Sequence, residues 1–216
     1  MDGPDPWAFG WNQLLTILGL AITTAIAISG FRTFRRWRRE QLEERRIEIA
    51  FEALSIAYEA KFVFDSIRSP MAYAHEWADM PRVEGETENQ WNSRGSYYAI
   101  LKRIGRQKDY FERLWKLQPQ FMAAFGPQTE QVFLHLHEAR RFVEVSAQML
   151  ARQRHSEPGP GMTTNQRQRE QWEADIWVGM DEVSPGLDRV NKRLVDFKTE
   201  IERLCLPVTQ QSYARR

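Results

Sequence analysis

The sequence predicts an all-α protein: one N-terminal transmembrane helix that continues into a cytoplasmic antiparallel bundle of about four helices. Three observations lead there. Leu14 to Phe31 reads LLTILGLAITTAIAISGF, eighteen residues without a charge. Beyond it, apolar residues recur at steps of three and four, the signature of amphipathic helices. No alternating apolar and polar run of the kind a half-buried strand needs appears outside the first segment.

The apolar run is taken first. A bilayer core of about 30 Å needs about 20 mostly apolar residues in helix. Residues 11–31 are assigned to the span, and reading back to Trp7 leaves room for tilt. Asp5-Pro6 is a helix start, with Asp as N-cap and Pro at the first helical position. Trp7 and Trp11 at one end and Trp37 at the other are placed as interfacial anchors. A cleaved signal peptide is the rival. It would want a positive n-region, whereas Met1 to Gln13 carries two Asp and no Lys or Arg.

Seven arginines follow: Arg32, Arg35, Arg36, Arg38, Arg39, Arg45 and Arg46. Positive residues stay on the cytoplasmic side. This orients residues 1–10 outside and the rest inside, in a bacterial inner membrane. Arg32, Arg35, Arg36, Trp37, Arg38 and Arg39 are the expected headgroup contacts within a basic juxtamembrane helix, 32–46. Within the span, Gly19, Ala21, Ala25 and Ser29 are small and closely spaced, which predicts self-association of the helix.

Charge is local to that collar. The first 46 residues hold seven of the 30 Lys and Arg and five of the 29 Asp and Glu, leaving 23 against 24 beyond them. A nucleic-acid partner would want a basic stripe on the body, so none is expected. The one cysteine, Cys205, rules out an internal disulfide and a zinc site built on several thiolates.

The cytoplasmic bundle is assigned to 47–206. Ala50, Leu54, Ala57, Phe64 and Ile67 form the stripe of its first helix, stopped by Ser69-Pro70. A short helical turn ending at Pro81 follows, then an exposed loop over 82–92. The next long helix runs from Ser93 to Leu117 with Tyr97, Leu101, Ile104, Phe111 and Trp115 on its core face, interrupted by Pro119. After Gly126-Pro127, a third helix reaches Arg154 on Val132, Leu136, Ala139, Val143, Ala147 and Leu150. The run Glu157-Pro-Gly-Pro-Gly161 marks an exposed loop over 156–164. Last comes a heptad seam, Ile176, Met180, Val183, Leu187, Val190, Leu194, Phe197, Ile201 and Leu204. Ser184-Pro185-Gly186 falls inside it and predicts a kink, because the phase survives the proline. Pro207 is expected to end this helix and leave a loose tail, 207–216.

Chemistry-bearing patterns are sparse. His75-Glu76 lacks the second His four residues on that a helical zinc site needs, Asp79 standing there instead. His135 and His137 lie about 200° apart on a helix and cannot share an ion; His135 pairs better with Glu138. None of the 20 glutamates is followed three residues later by His, which closes the bundle di-iron motif. No phosphate loop or nucleophile elbow occurs. The sequence thus points to no catalytic residue, metal or cofactor. Trp91 and Trp172 are the candidate partner surface, since Trp is enriched at interface hot spots. The expected function is a single-pass anchored interaction or scaffold protein, or a subunit of a membrane complex, its partners being the bilayer and a second protein or a homo-oligomer. The alternatives are an oligomerising membrane effector, with a sensor bundle coupled to a clustering span, and an enzyme with an unrecognised site.

Overall fold

The computed structural model describes residues 10–155, 166–180 and 186–214. Those residues hold six α-helices, two 3-10 turns and no strand. In order they are α1 (Trp11–Ile67), a 3-10 turn (Ala74–Glu76), α2 (Glu88–Arg106), α3 (Lys108–Phe125), a second turn (Pro127–Thr129), α4 (Glu130–His155), α5 (Gln166–Ile176) and α6 (Arg189–Ala214). The chain divides into two compact units, one up to Arg46 and one from Ile47 onward. Helix α1 contributes to both.

The first unit is the apolar and arginine-rich part of α1. Its large apolar side chains are open, with Leu15, Leu20 and Ile26 at 63%, 69% and 67% exposure. The hydroxyls of Thr23, Thr24 and Thr33 donate to the carbonyls of Gly19, Leu20 and Ser29, one turn back. Each polar group is thereby satisfied inside the helix, so the segment presents an apolar exterior.

The second unit is built around α4, against which α2, α5 and α6 pack. All six residues of the expected α4 stripe are buried, as are all five of the α1 stripe. Alanines at 50, 53, 57 and 60 of α1 are buried in the core, where close packing leaves room for little more than a methyl group at each. Phenylalanines tie the layers edge to face: Phe64 to Phe111 at 6.1 Å, Phe121 to Phe133 at 5.4 Å and Phe133 to Phe197 at 6.0 Å.

Several boundaries differ from expectation. Helix α2 starts at Glu88, five residues early, because Thr87 and Gln90 form a reciprocal capping box; the exposed loop is correspondingly shorter than 82–92. The expected single helix breaks at Gln107, whose φ of −89° and ψ of 20° re-aim the chain beside Gly105. Pro119 and Pro207 do not end helices but lie inside α3 and α6. Each removes one bond to the carbonyl four residues back, at Trp115 and Arg203. Both of those residues and both prolines are exposed, so water can take the freed carbonyls. Trp115, expected in the core, is 45% exposed and lies under the Arg140 guanidinium at 5.2 Å.

The heptad run is divided between helices. Helix α5 ends at Ile176, and Gly179 follows with φ of +88°, a left-handed conformation that closes the element. Helix α6 starts at Arg189 and is capped by Asp188, whose Oδ1 accepts from the Asn191 amide at 2.8 Å. Of the run, Ile176, Val190, Leu194, Phe197 and Ile201 are buried, and Cys205 takes the last buried place while Leu204 is half-exposed. Val183, Ser184-Pro185 and the Glu157 to Gly161 linker lie outside the described residues.

Candidate membrane anchor and buried polar centres

By length and composition, α1 can cross a membrane. Among the described residues, none of its apolar window is buried. Helical geometry places Ala21, Ala25 and Ser29 on one face, but Gly19 about 120° from Ala25, so the four do not form a single line. Arg32, Arg35, Arg36, Trp37, Arg38 and Arg39 are all exposed. Arg36 Nε donates to Glu40 Oε1 at 2.9 Å, Arg35 lies over the Phe31 ring at 4.4 Å, and Trp37 sits 5.8 Å from Phe34.

The two tryptophans proposed for a partner surface are half-buried and in different places. Trp91 packs on a small second cluster of Trp77, Met80 and Ala99. Its Nε1 donates to the Met80 carbonyl at 3.4 Å, and Arg82 covers its ring at 4.7 Å. Gly95 is obligatory beneath this cluster, because a Cβ there would come within 2.5 Å of the Trp77 ring. Trp172 packs against the main core.

Charged residues in the interior are what the sequence reading missed. Arg68, directly after the last residue of α1, is 1% exposed. It donates to the carbonyls of Asp175, Ala174 and Trp177 at 3.0, 2.7 and 3.1 Å and pairs with Asp188 at 2.9 Å. Its own carbonyl accepts from the Val178 amide at 3.0 Å. Beside it, the fully buried Asp175 accepts from Ser146 of α4 at 2.6 Å, from Gln171 at 3.1 Å and from Arg189 of α6 at 2.7 Å. Four helices meet at this one polar centre, and its guanidinium and carboxylate groups are matched.

A second centre replaces the polar surface turn expected at His75-Glu76. Glu76 is buried and accepts from Arg103 at 2.8 Å. Arg103 also donates to the Ser69 carbonyl at 2.7 Å, which ties α2 to the chain after α1. His75 instead stacks on Tyr73 at 5.8 Å, and Asp79 pairs with Lys102 at 2.7 Å, which holds its carboxyl below the usual range. A signal for both centres existed. Arg68 stands four residues after Phe64, and Arg103 precedes Ile104, so each charge sits at the edge of an apolar stripe.

His135 and His137 are both tied to neighbouring helices. His135 does not pair with Glu138: Arg193 takes Glu138 at 2.8 Å, and His135 lies between Arg193 and Glu200 at 3.3 and 3.7 Å. His137 meets Gln118 at 3.0 Å, and burial together with the nearby Arg140 lowers its pKa. Burial also pushes the Tyr110 phenol up; its hydroxyl donates to the Ile56 carbonyl at 3.1 Å. Among the described residues no group of three or more His, Cys, Asp or Glu is arranged to hold a metal. Compared with protein-family models, curated proteins and solved structures, the chain has no match.

Proposed function

We propose that this chain is a single-pass membrane protein whose cytoplasmic part, an antiparallel helical bundle, works by interaction: it scaffolds a partner at the bilayer or is a subunit of a membrane complex. The observation that carries the reading is the uncovered apolar window of α1, flanked by arginines. Apolar surface on this scale is not left to water in a monomeric protein, and an apolar run of this length fits a bilayer. The arginines orient it with the N-terminus outside and residues 47–214 in the cytoplasm, which fits a bacterial inner membrane. The interior charges are tied up with one another or with carbonyls, which favours an architectural role over catalysis.

Purification through a C-terminal tag from native membranes in mild detergent, with mass and composition measured, tests it. A second protein at fixed stoichiometry is the expected result, and that partner's chemistry would name the process. Release of the chain by carbonate washing, without detergent, would overturn the anchor. A homo-oligomer alone would favour the effector reading, which Ala21, Ala25 and Ser29 support by sharing one exposed face of the span.

A further inference from the structure

Where the apolar run of α1 ends, the helix becomes two-sided. Arg32, Arg35, Arg36 and Arg39 fall within an arc of about 100°, Arg38 lies about 60° beyond Arg35 at its margin, and Gly30, Thr33, Phe34 and Trp37 occupy the opposite side. On that second side, Ile26, Ser29, Gly30, Thr33, Phe34 and Trp37 line a shallow uncharged groove. The basic side is open to solvent; Glu40 pairs with Arg36 at 2.9 Å, and between Asp5 and Glu40 the sequence contains no further carboxylate. Arg35 folds back over Phe31 at 4.4 Å, which sets its charge level with the last residue of the apolar run.

Orientation of a span in the membrane depends on how many arginines flank it, not on which side of the helix they occupy. The segregation therefore asks for a second explanation. We infer that the face made by Arg32, Arg35, Arg36 and Arg39 is a docking surface for anionic phospholipid headgroups. The inference rests on the anchor reading above. Residues a turn apart on this face put neighbouring guanidinium groups side by side, and two such forks suit one phosphate, accepting several charge-assisted hydrogen bonds at once. The cytoplasmic leaflet supplies that charge at the depth where the helix leaves the hydrocarbon. Anionic lipids then gather on one side of the helix, and the aromatic side with Phe34 and Trp37 keeps to the neutral interface.

The test uses the full chain in nanodiscs made of equal parts phosphatidylglycerol and phosphatidylcholine. After transfer to mild detergent, native mass spectrometry counts the lipids retained. The wild-type chain is expected to keep phosphatidylglycerol in preference. Replacing all four arginines by Gln should lower that preference at least about five-fold, the factor for one arginine at a charged surface. A second variant keeps the charge but spreads it: Arg32→Gln and Arg39→Gln combined with Thr33→Arg and Gln41→Arg. It should also lose the preference, and wild-type retention by this variant would overturn the one-sided face. Inorganic phosphate tested in lipid-free detergent separates the two sources of the same chemistry. Binding of phosphate that needs the four arginines, with no lipid preference in the discs, would overturn the lipid assignment. Failure of the wild-type chain to enter discs would instead remove the anchor reading, and this inference with it.

Discussion

Two stretches of α1 have similar apolar residues and opposite fates. Between Leu14 and Phe31 the large apolar side chains lie open, Leu15 at 63% and Ile26 at 67%. Between Ile49 and Ile67 most are packed away, Ile56 and Phe64 at 1% each, and only Phe51, Tyr58 and Phe62 stay exposed. The difference is arrangement. In the second stretch most apolar residues keep to a stripe, and Glu48, Glu52, Ser55 and Lys61 share the other side with Phe51 and Phe62, so the helix has a face for its own core and a mainly polar face for water. The first stretch is apolar all round and has no face to give to water. A striped helix can be completed by its own chain. An all-round apolar one needs surroundings that are apolar on every side, which is what the anchor reading supplies.

The largest expected break in this comparison comes from charge rather than from apolar size. Arg32 lies within α1 and Arg68 directly follows it, but Arg68 is enclosed and Arg32 exposed. Arg68→Ala strands the Asp188 carboxylate and the carbonyls of Ala174, Asp175 and Trp177, and should cost about 3–5 kcal/mol. Arg32→Ala should change stability by less than about 0.5 kcal/mol. Urea unfolding of the detergent-solubilised chain, followed by tryptophan fluorescence, reads both. Equal small losses would mean that the four-helix polar centre does not hold the second unit together.

Apolar truncation sharpens the same contrast. Leu136, on α4, is fully buried, and Leu136→Ala should cost about 2–5 kcal/mol in the same experiment. Leu18 is 57% exposed, and Leu18→Ala should leave that unfolding transition within about 0.5 kcal/mol of wild type. A comparable loss at Leu18 would show that the apolar window is covered by the chain after all.

Much of this contrast was legible from residue order alone, for a physical reason. Burial of a helix face is written at a period of 3.6, so the α1 and α4 stripes could be read directly. Boundaries were harder because they depend on which side of a helix a residue faces. Pro119 and Pro207 look like stops in sequence, but each lies on a solvent side where a freed carbonyl costs little. Asp188, the cap of α6, also meets Arg68, a partner 120 positions away that no local pattern reveals. The Thr87 and Gln90 capping box was readable and decided the start of α2. For Arg68 and Arg103 the sequence marks only a charge at the edge of a stripe: such a charge can reach solvent or turn inward, and only packing against distant carbonyls decides between them.

The smallest expected effect tests whether a charge that the second unit rejects can be seen from outside. His137 is half-buried, and burial first, then the Arg140 guanidinium, lowers its pKa below the ordinary 6.5. The fold therefore favours the neutral ring, whose Nε2–H donates to Gln118 Oε1 at 3.0 Å. With the folded value below the unfolded one, its contribution to stability is full above about pH 6.5 and is lost as pH falls through the folded value. Stability of the wild-type chain should decline between about pH 7 and about pH 5 more steeply than that of His137→Gln, which keeps a donor but cannot take up a proton. The difference between the two curves is the reading, since the carboxylates that titrate at lower pH are common to both. Arg140→Gln should narrow that difference by removing the charge that opposes protonation. Parallel curves for wild type and His137→Gln would show that the ring accepts its proton as readily in the folded chain as in the unfolded one.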